Sequence, residues 1–342
     1  MTSFLGTTSG RLCTTNVTVR RARLRSVAKI NLDLRVLHQR PDGFHELRTV
    51  FQTISLAHTI EIEYEPSRRT ALTLDDKLAI PDNLVLRAAH AALDAMRAQA
   101  RVNFRLEKRI PMGSGLGGGS SNAAAVLLAL PVLAGHDLDF ETRIALAFEL
   151  GSDVPFFLTG GTAVGVGRGT ELYELSDVAR EPILVVSPGL HVATETAYQA
   201  LGRSLTFTRS SSSINNFQTF ARMLGERHSA EAASAFSAND FETAVFSQYP
   251  QLRKIHGRLR ELGLAGVRLT GSGSAMFAIF RCKTERESAR KVLEGDRVFR
   301  GCRIMPAELL DRRSYQRLWR RQLQDHLASV DTLWPPRSRY ER

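Results

Sequence analysis

Residues 113–119 read Gly-Ser-Gly-Leu-Gly-Gly-Gly, five glycines in seven positions, and run on into Ser120, Ser121, Asn122 and three alanines. Glycine reaches φ > 0 freely and lets a backbone approach an anion closely, at an entropic cost that a plain turn has no use for. The alanine run is a strong helix former, so the spacing predicts a helix starting at Ser120 or Ser121. A glycine loop opening on a helix N-terminus offers unpaired N–H groups and the positive end of the helix dipole, which is chemistry for phosphate. The Ser120 and Ser121 hydroxyls add groups able to bind phosphate or a Mg²⁺ ion. Gly113, Gly115 and Gly118 formally satisfy G-x-G-x-x-G, but the βαβ unit that fingerprint requires is missing. A Walker A loop ends in Gly-Lys-Ser/Thr, and no Lys follows these glycines.

The elements around this loop are legible from periodicity. Residues 28–36 alternate, with Ile30, Leu32, Leu34 and Val36 on one side and Lys29, Asn31, Asp33 and Arg35 on the other. That is a half-buried strand carrying Lys29 and Asn31 side by side on its polar face. Residues 46–63 read as two strands parted near Ala57-His58, and 101–109 as another. Asn83 precedes an amphipathic helix from Leu84 to about Arg97. A second helix is expected from Asp139 to Leu150 with Gly151 as its stop. Short strands are expected at 162–167, 171–175 and 183–187. Helices should recur between 194 and 262, with Asn239 as an N-cap. Val267–Thr270, a glycine turn and Ala275–Phe280 read as strand, turn and strand. Strands and helices mix without strict βαβ alternation, which points to α+β. Near the end, Tyr315, Leu318, Trp319 and Leu323 are spaced for a basic amphipathic helix over Arg312–His326, expected to pack on a second lobe. Trp334–Arg342, with its Pro335-Pro336 pair, is expected to be disordered.

Composition bounds the possibilities. The 342 residues are 43% hydrophobic and 24% charged, enough for a core and too apolar for general disorder. No run of about 18 apolar residues suggests a membrane span. The net charge of +11 raises nucleic acid, an anionic membrane or an anionic small molecule as partners. Most of that excess lies at the ends, however: residues 1–25 hold five Arg and no acid, and 308–342 hold eight Arg against five acids. The middle shows no basic stripe interleaved with aromatics, so neither a nucleic-acid nor a membrane partner is expected. The first 25 residues are Ser/Thr/Arg-rich, as an organelle transit peptide would be, but Val17, Val19 and the run to Arg25 read as the first strand. Cys13, Cys282 and Cys302 lack metal-ligand or disulfide-framework spacing, so no protein-held metal and a reducing, cytoplasmic setting are expected.

Pro111 to Ala124 resembles the phosphate loop of a small-molecule kinase superfamily that includes galactokinase, homoserine kinase and mevalonate kinase. Three further segments resemble one family within it, the kinases acting on 4-diphosphocytidyl-2-C-methyl-D-erythritol. They are Ala28-Lys29-Ile30-Asn31-Leu32 with Arg40-Pro41-Asp42-Gly43-Phe44-His45-Glu46-Leu47, then Leu150-Gly151-Ser152-Asp153-Val154-Pro155-Phe156-Phe157, then Leu269-Thr270-Gly271-Ser272-Gly273-Ser274. Asn83-Leu84-Val85 and Asn239-Asp240-Phe241-Glu242 also fit, and the likeness runs in order over residues 20–307. It implies a two-lobed α+β fold with its site in the cleft, with lobes at 20–175 and 176–307. A flexible basic extension at 1–19 and a basic helix and tail at 308–342 would flank them. It implies phosphorylation of the acceptor's 2-hydroxyl with ATP and Mg²⁺, by a monomer or weak homodimer.

Residue by residue, the resemblance makes Asp153 the catalytic base, which must lie within hydrogen-bond reach of the acceptor hydroxyl. Lys29 would hold Asp153 ionised and neutralise charge on the transferring phosphoryl group. The nucleotide side falls to Pro111, Gly113, Gly115, Leu116, Gly117, Gly118, Gly119, Ser120, Ser121, Asn83 and Lys108. On the acceptor side, His45 would meet the cytosine edge, Phe44 and Tyr198 would sandwich the base, and Asn31, Thr194 and Gly271 would make further contacts. Phe44 stands where many family members have Tyr, and Val27 where many have Pro. Two alternatives remain open: another kinase of the superfamily, mevalonate- or homoserine-type, and a basic RNA-binding protein. A cytosine-free acceptor would have no need of His45 and the aromatic pair.

Overall fold

The computed structural model describes residues 18–77, 81–201, 211–226, 229–264, 266–328 and 333–340. The expected N-terminal extension up to residue 17, with Cys13 and Val17, lies outside them. The strand read at 28–36 is part of a longer one, β1 (Arg20–Gln39), and it is buried on both faces rather than one. Ile30 and Leu32 pack in a cluster with Ile183 and Val185. The polar face is buried because it meets the second half of the chain. Asp33 and Arg35 form a buried ion pair at 2.8 Å, Arg35 donates to the Phe236 carbonyl, and Asp33 accepts the Ala238 N–H.

β2 (His45–Pro66) is a single strand of 22 residues, not two. At the expected break the register with β1 jumps from Val27 opposite Ala57 to Ala28 opposite Ile54, skipping Ser55 and Leu56. A bulge bends a strand without ending it. The bend also changes partners on the far edge, from β5 (Thr162–Gly167) against residues 47–52 to β4 (Ala100–Glu107) against residues 59–66. β3 (Ala71–Asp75) adds to β4 in parallel and β6 (Glu171–Glu174) to β5, completing the first sheet in the order β3-β4-β2-β5-β6 with β1 on β2.

Four helices belong to this half. α1 (Leu84–Ala95) is capped by the Asn83 side chain, which accepts the Val85 N–H. α2 (Gly118–Ala134) starts two residues before the earlier of its expected starts, because Gly117, at φ 70, is the break and Gly118 and Gly119 already belong to the first turn. Every residue of α2 from Ser121 onward is buried, as in a helix that is apolar all round and runs through a core. α3 (Phe140–Leu150) is capped by Asp139, and the short α4 (Phe156–Thr159) follows the Asp153 segment.

The second half is built on β7 (Pro182–Ser187), β8 (Arg268–Leu269), β9 (Met276–Ile279) and β10 (Arg303–Glu308), in the antiparallel order β10-β7-β9-β8. Its helices are α5 (Thr194–Leu201), α6 (Ser211–Gly225), α7 (Ala230–Ala233), α8 (Phe241–Gln248), α9 (Pro250–Glu261) and α10 (Lys283–Gly295). The first residue flanking α8 is Asp240, but it has helical dihedrals and makes no capping bond; the cap is supplied by Asn239, as expected. Asn239 accepts the Phe241 N–H and donates to the Leu269 and Gly271 carbonyls, so it ties the start of α8 to the second glycine turn.

α11 (Arg312–Leu323) packs on the first half, contrary to expectation. The chain leaves β10 beside Thr53, where Leu310 donates to the Thr53 carbonyl and accepts from the Thr53 hydroxyl, and this delivers α11 onto the first core. Tyr315, Trp319 and Leu323 are buried there, and the Tyr315 hydroxyl donates to the Phe157 carbonyl. The expected disorder after Trp334 is also corrected for Trp334–Tyr340. Trp334 Nε1 donates to the Leu158 carbonyl at 2.8 Å, Ser338 donates to Val132, and the Arg20 guanidinium covers the Tyr340 ring at 3.7 Å. Among the described residues no helix is long and apolar enough to cross a membrane.

Candidate active site

Two adjoining cavities meet at the glycine loop. The larger, about 920 Å³, is lined by residues from both halves, including Lys29, Asn31, Phe44, His45, Asp153, Thr194, Tyr198 and Gly271. The smaller, about 360 Å³, is lined by Asn83, Lys108, Pro111 and residues 113–120 among others. Gly115, Gly117 and Ser120 face both, so the loop and the first turn of α2 form the wall between them.

At that wall β1 presents Lys29, whose backbone N–H donates to the Leu116 carbonyl at 3.0 Å. Its ammonium, 4% exposed, lies 3.3 Å from Asp153 Oδ2 and donates to Asn31 Oδ1 at 2.8 Å. Asn31 in turn donates to Thr49 Oγ1, which donates to the Asp33 carbonyl. Lys29 is thus held by a polar chain running back into β1 and β2. Two of its three donors are engaged and one is left for the cavity. Asp153 is about one-third exposed and faces the same space.

Backbone contact between the two glycine turns sets the loop's position. A Cβ on Gly115 would lie 2.0 Å from the Thr270 carbonyl oxygen, and one on Gly273 would lie 2.2 Å from the Ser114 backbone. The 270–273 turn therefore shapes the site chiefly by bracing the first loop. Thr270 adds a hydroxyl that accepts the Asn31 N–H, and Ser272 donates to Thr194. On the other side of the loop, a Cβ on Gly117 would meet the Lys29 stem and the Phe157 ring at 3.0 Å.

The end of the larger cavity that holds Phe44 and Tyr198 differs in detail from an open sandwich of the two rings. His45 stacks on Tyr198, with centroids 4.7 Å apart, and Tyr198 stands edge-on to Phe241. Phe44 is largely exposed and is covered by the Arg168 guanidinium at 3.5 Å, a cation–π contact. Burial, with His38 adding to it, lowers the His45 pKa, and burial followed by the Asp153 charge raises that of Tyr198. A neutral His45 ring offers one donor and one acceptor to the cavity.

In the smaller cavity Lys108 is paired with Asp76 at 2.6 Å. Ser121 lines neither cavity and is buried in α2. Two lining residues carried no sequence signal. Arg168 sits in a loop between short strands, and His58 falls where the expected strand break lay.

The fold and site define a class. Residues 83–161 match the family described as GHMP kinases N terminal domain, and residues 210–295 match GHMP kinases C terminal. A solved homoserine kinase from Cytophaga hutchinsonii shares the fold at a TM-score of 0.65 and 17% identity, over 84% of this chain and 95% of that one. The relationship narrows with a solved 4-(cytidine 5'-diphospho)-2C-methyl-D-erythritol kinase, at a TM-score of 0.68 and 35% identity over 84% of this chain and 98% of that one. The 4-diphosphocytidyl-2-C-methyl-D-erythritol kinase of Solibacter usitatus (strain Ellin6076) is 50% identical over 327 residues, 94% of this chain and 99% of that protein. The chain belongs to the 4-diphosphocytidyl-2-C-methyl-D-erythritol kinase family.

Proposed function

We propose that this chain transfers the γ-phosphoryl group of ATP to the 2-hydroxyl of 4-diphosphocytidyl-2-C-methyl-D-erythritol. The nucleoside triphosphate takes the smaller cavity and the cytidine-bearing acceptor the larger. The observation that carries this reading is the Lys29–Asp153 pair, which stands at the loop wall shared by both cavities.

Asp153 accepts the proton of the acceptor hydroxyl as its oxygen bonds to phosphorus and the bond to the β–γ bridging oxygen breaks, releasing ADP. Little covalent chemistry falls to the protein in such a transfer; positioning and charge stabilisation do most of it. Lys29 pairs with Asp153 and directs its remaining donor at the phosphoryl oxygens. The N–H groups at the start of α2 receive phosphate from the other side. His45 and the Tyr198 ring hold the cytosine, with Phe44 as the second aromatic face. Thr194, Asn31 and Gly271 complete the acceptor cavity, while Asn83 and Lys108 serve the nucleoside end. A Mg²⁺ ion bound with the nucleotide would supply charge neutralisation on the phosphates. The Ser120 hydroxyl, which lines the smaller cavity at the start of α2, would be the side chain to help hold it there.

The test is Asp153→Ala, assayed with this acceptor. We expect turnover to fall by about 10²–10⁴-fold, with ADP affinity nearly unchanged by titration calorimetry. Unchanged turnover would remove Asp153 from the role of base.

A further inference from the structure

The smaller cavity holds a side chain that the kinase reading leaves unused. His58, on β2, is 4% exposed. Its Nδ1 accepts the backbone N–H of Arg109 at 2.9 Å and that of Ile110 at 3.4 Å. A peptide N–H can only donate, so Nδ1 carries the lone pair and the proton of the neutral ring resides on Nε2. The ring is neutral at pH 7, since burial, aided by the Lys108 charge, pushes its pKa down to about 4. Nε2–H is therefore a fixed, uncharged donor, and among the described residues nothing accepts from it.

That donor faces the first turn of α2. A Cβ on Gly118 would lie 2.7 Å from Nε2 and 3.4 Å from the Ile110 side chain. Gly118 does not need glycine for its backbone conformation, because its φ is not positive. What the missing side chain provides is room for the imidazole itself, which packs against the Gly118 backbone at the edge of a cavity that His58 and Gly118 both line. A 17-residue helix N-terminus and an unanswered donor on a buried side chain thus line one cavity.

We propose that His58 is a nucleotide ligand: its Nε2–H donates to a phosphate oxygen of the ATP bound at the start of α2. This rests on the reading that the smaller cavity takes the nucleoside triphosphate. The role suits a neutral His better than a Lys, because the donor is locked in direction by the two N–H groups behind it and does not change with pH above the acid range.

Two variants separate ligand binding from scaffolding. His58→Asn keeps an oxygen near the Nδ1 position for Arg109 and Ile110 but has nothing at Nε2. His58→Gln places an amide N–H near Nε2 and loses the Nδ1 acceptor. In calorimetric titrations with ADP and ATP, the Asn variant should bind about tenfold more weakly or worse. Its KM for the alcohol acceptor and its unfolding midpoint should stay close to those of the parent. The Gln variant should keep most of the nucleotide affinity while melting earlier. In parent protein labelled with ¹⁵N-histidine, ADP should shift the His58 Nε2 resonance, and adenosine should leave it in place. An Asn variant that binds ADP as tightly as the parent, or an Nε2 resonance that ADP does not move, overturns the assignment. A parent that binds neither ATP nor ADP overturns the kinase reading beneath it; a parent that binds both, beside an equally competent Asn variant, condemns His58 alone.

Discussion

Lys29 does three jobs with one ammonium: it pairs with Asp153, it donates to Asn31, and its stem packs where Gly117 leaves room. This explains why a cation can be so buried, since buried charges persist where they are paired and hydrogen-bonded. Period-2 alternation was enough to place Lys29 and Asn31 together on a face of β1. It was not enough to show that Asp33 and Arg35, on the same face, would serve the junction between the two halves. Nor could it single out His58, whose meaning depends on Gly118, sixty positions away in sequence. His58 also carries a pH prediction. Its folded pKa of about 4 lies below the ordinary value of 6.5, so the unfolded chain binds more protons between those values. Stability should therefore rise with pH across that window and be lost on acidification, by roughly 3 kcal/mol from this group. Urea unfolding at pH 7 and pH 4.5 checks this. The loss should shrink in His58→Asn, and an equal loss in parent and variant would mean that other groups carry it.

Among elements, the glycine loop was the most legible, because five glycines ahead of an alanine run have few physical readings. Its brace was less so: that Gly273 must be glycine follows from the Ser114 backbone, which only the fold brings near. The division of β2 was misread because a bulge and a strand end look alike where alternation breaks. α11 was placed correctly in sequence and wrongly in space, since an amphipathic pattern says that a face is buried but not against what. It packs under the Asp153 segment: Tyr315 of α11, with Trp334 from the segment that follows it, holds the carbonyls of Phe157 and Leu158 in α4. Trp319, 1% exposed in the first core, anchors that helix. Trp319→Ala should cost about 3–5 kcal/mol of stability, read as a lower urea midpoint. A midpoint within experimental scatter of the parent's would show that α11 is not part of the cooperative core.

Over the whole molecule, the net charge of +11 divides into terminal segments and a nearly balanced middle. The described part of the C-terminal segment lies on the first half, with Arg20 and Arg339 gathered at the Tyr340 ring. At the site, positive charge is local: Lys29 at the loop wall, Arg168 over Phe44 in the larger cavity and Lys108 in the smaller one. The two halves are joined by backbone pairing of Leu34 with Asn239 and of Ile54 with Leu309, and the larger cavity lies between them, lined by β1 and β2 from the first half and by α5, α8 and the 270–273 turn from the second. On the proposed function these paired cavities phosphorylate a cytidine-bearing alcohol at the expense of ATP. The most direct measurement is ADP release, coupled to a spectrophotometric readout, with 4-diphosphocytidyl-2-C-methyl-D-erythritol, mevalonate and homoserine each offered as acceptor. ADP should appear with the first alone, at one equivalent per acceptor consumed; turnover of mevalonate or homoserine, with none of the cytidine compound, would contradict it.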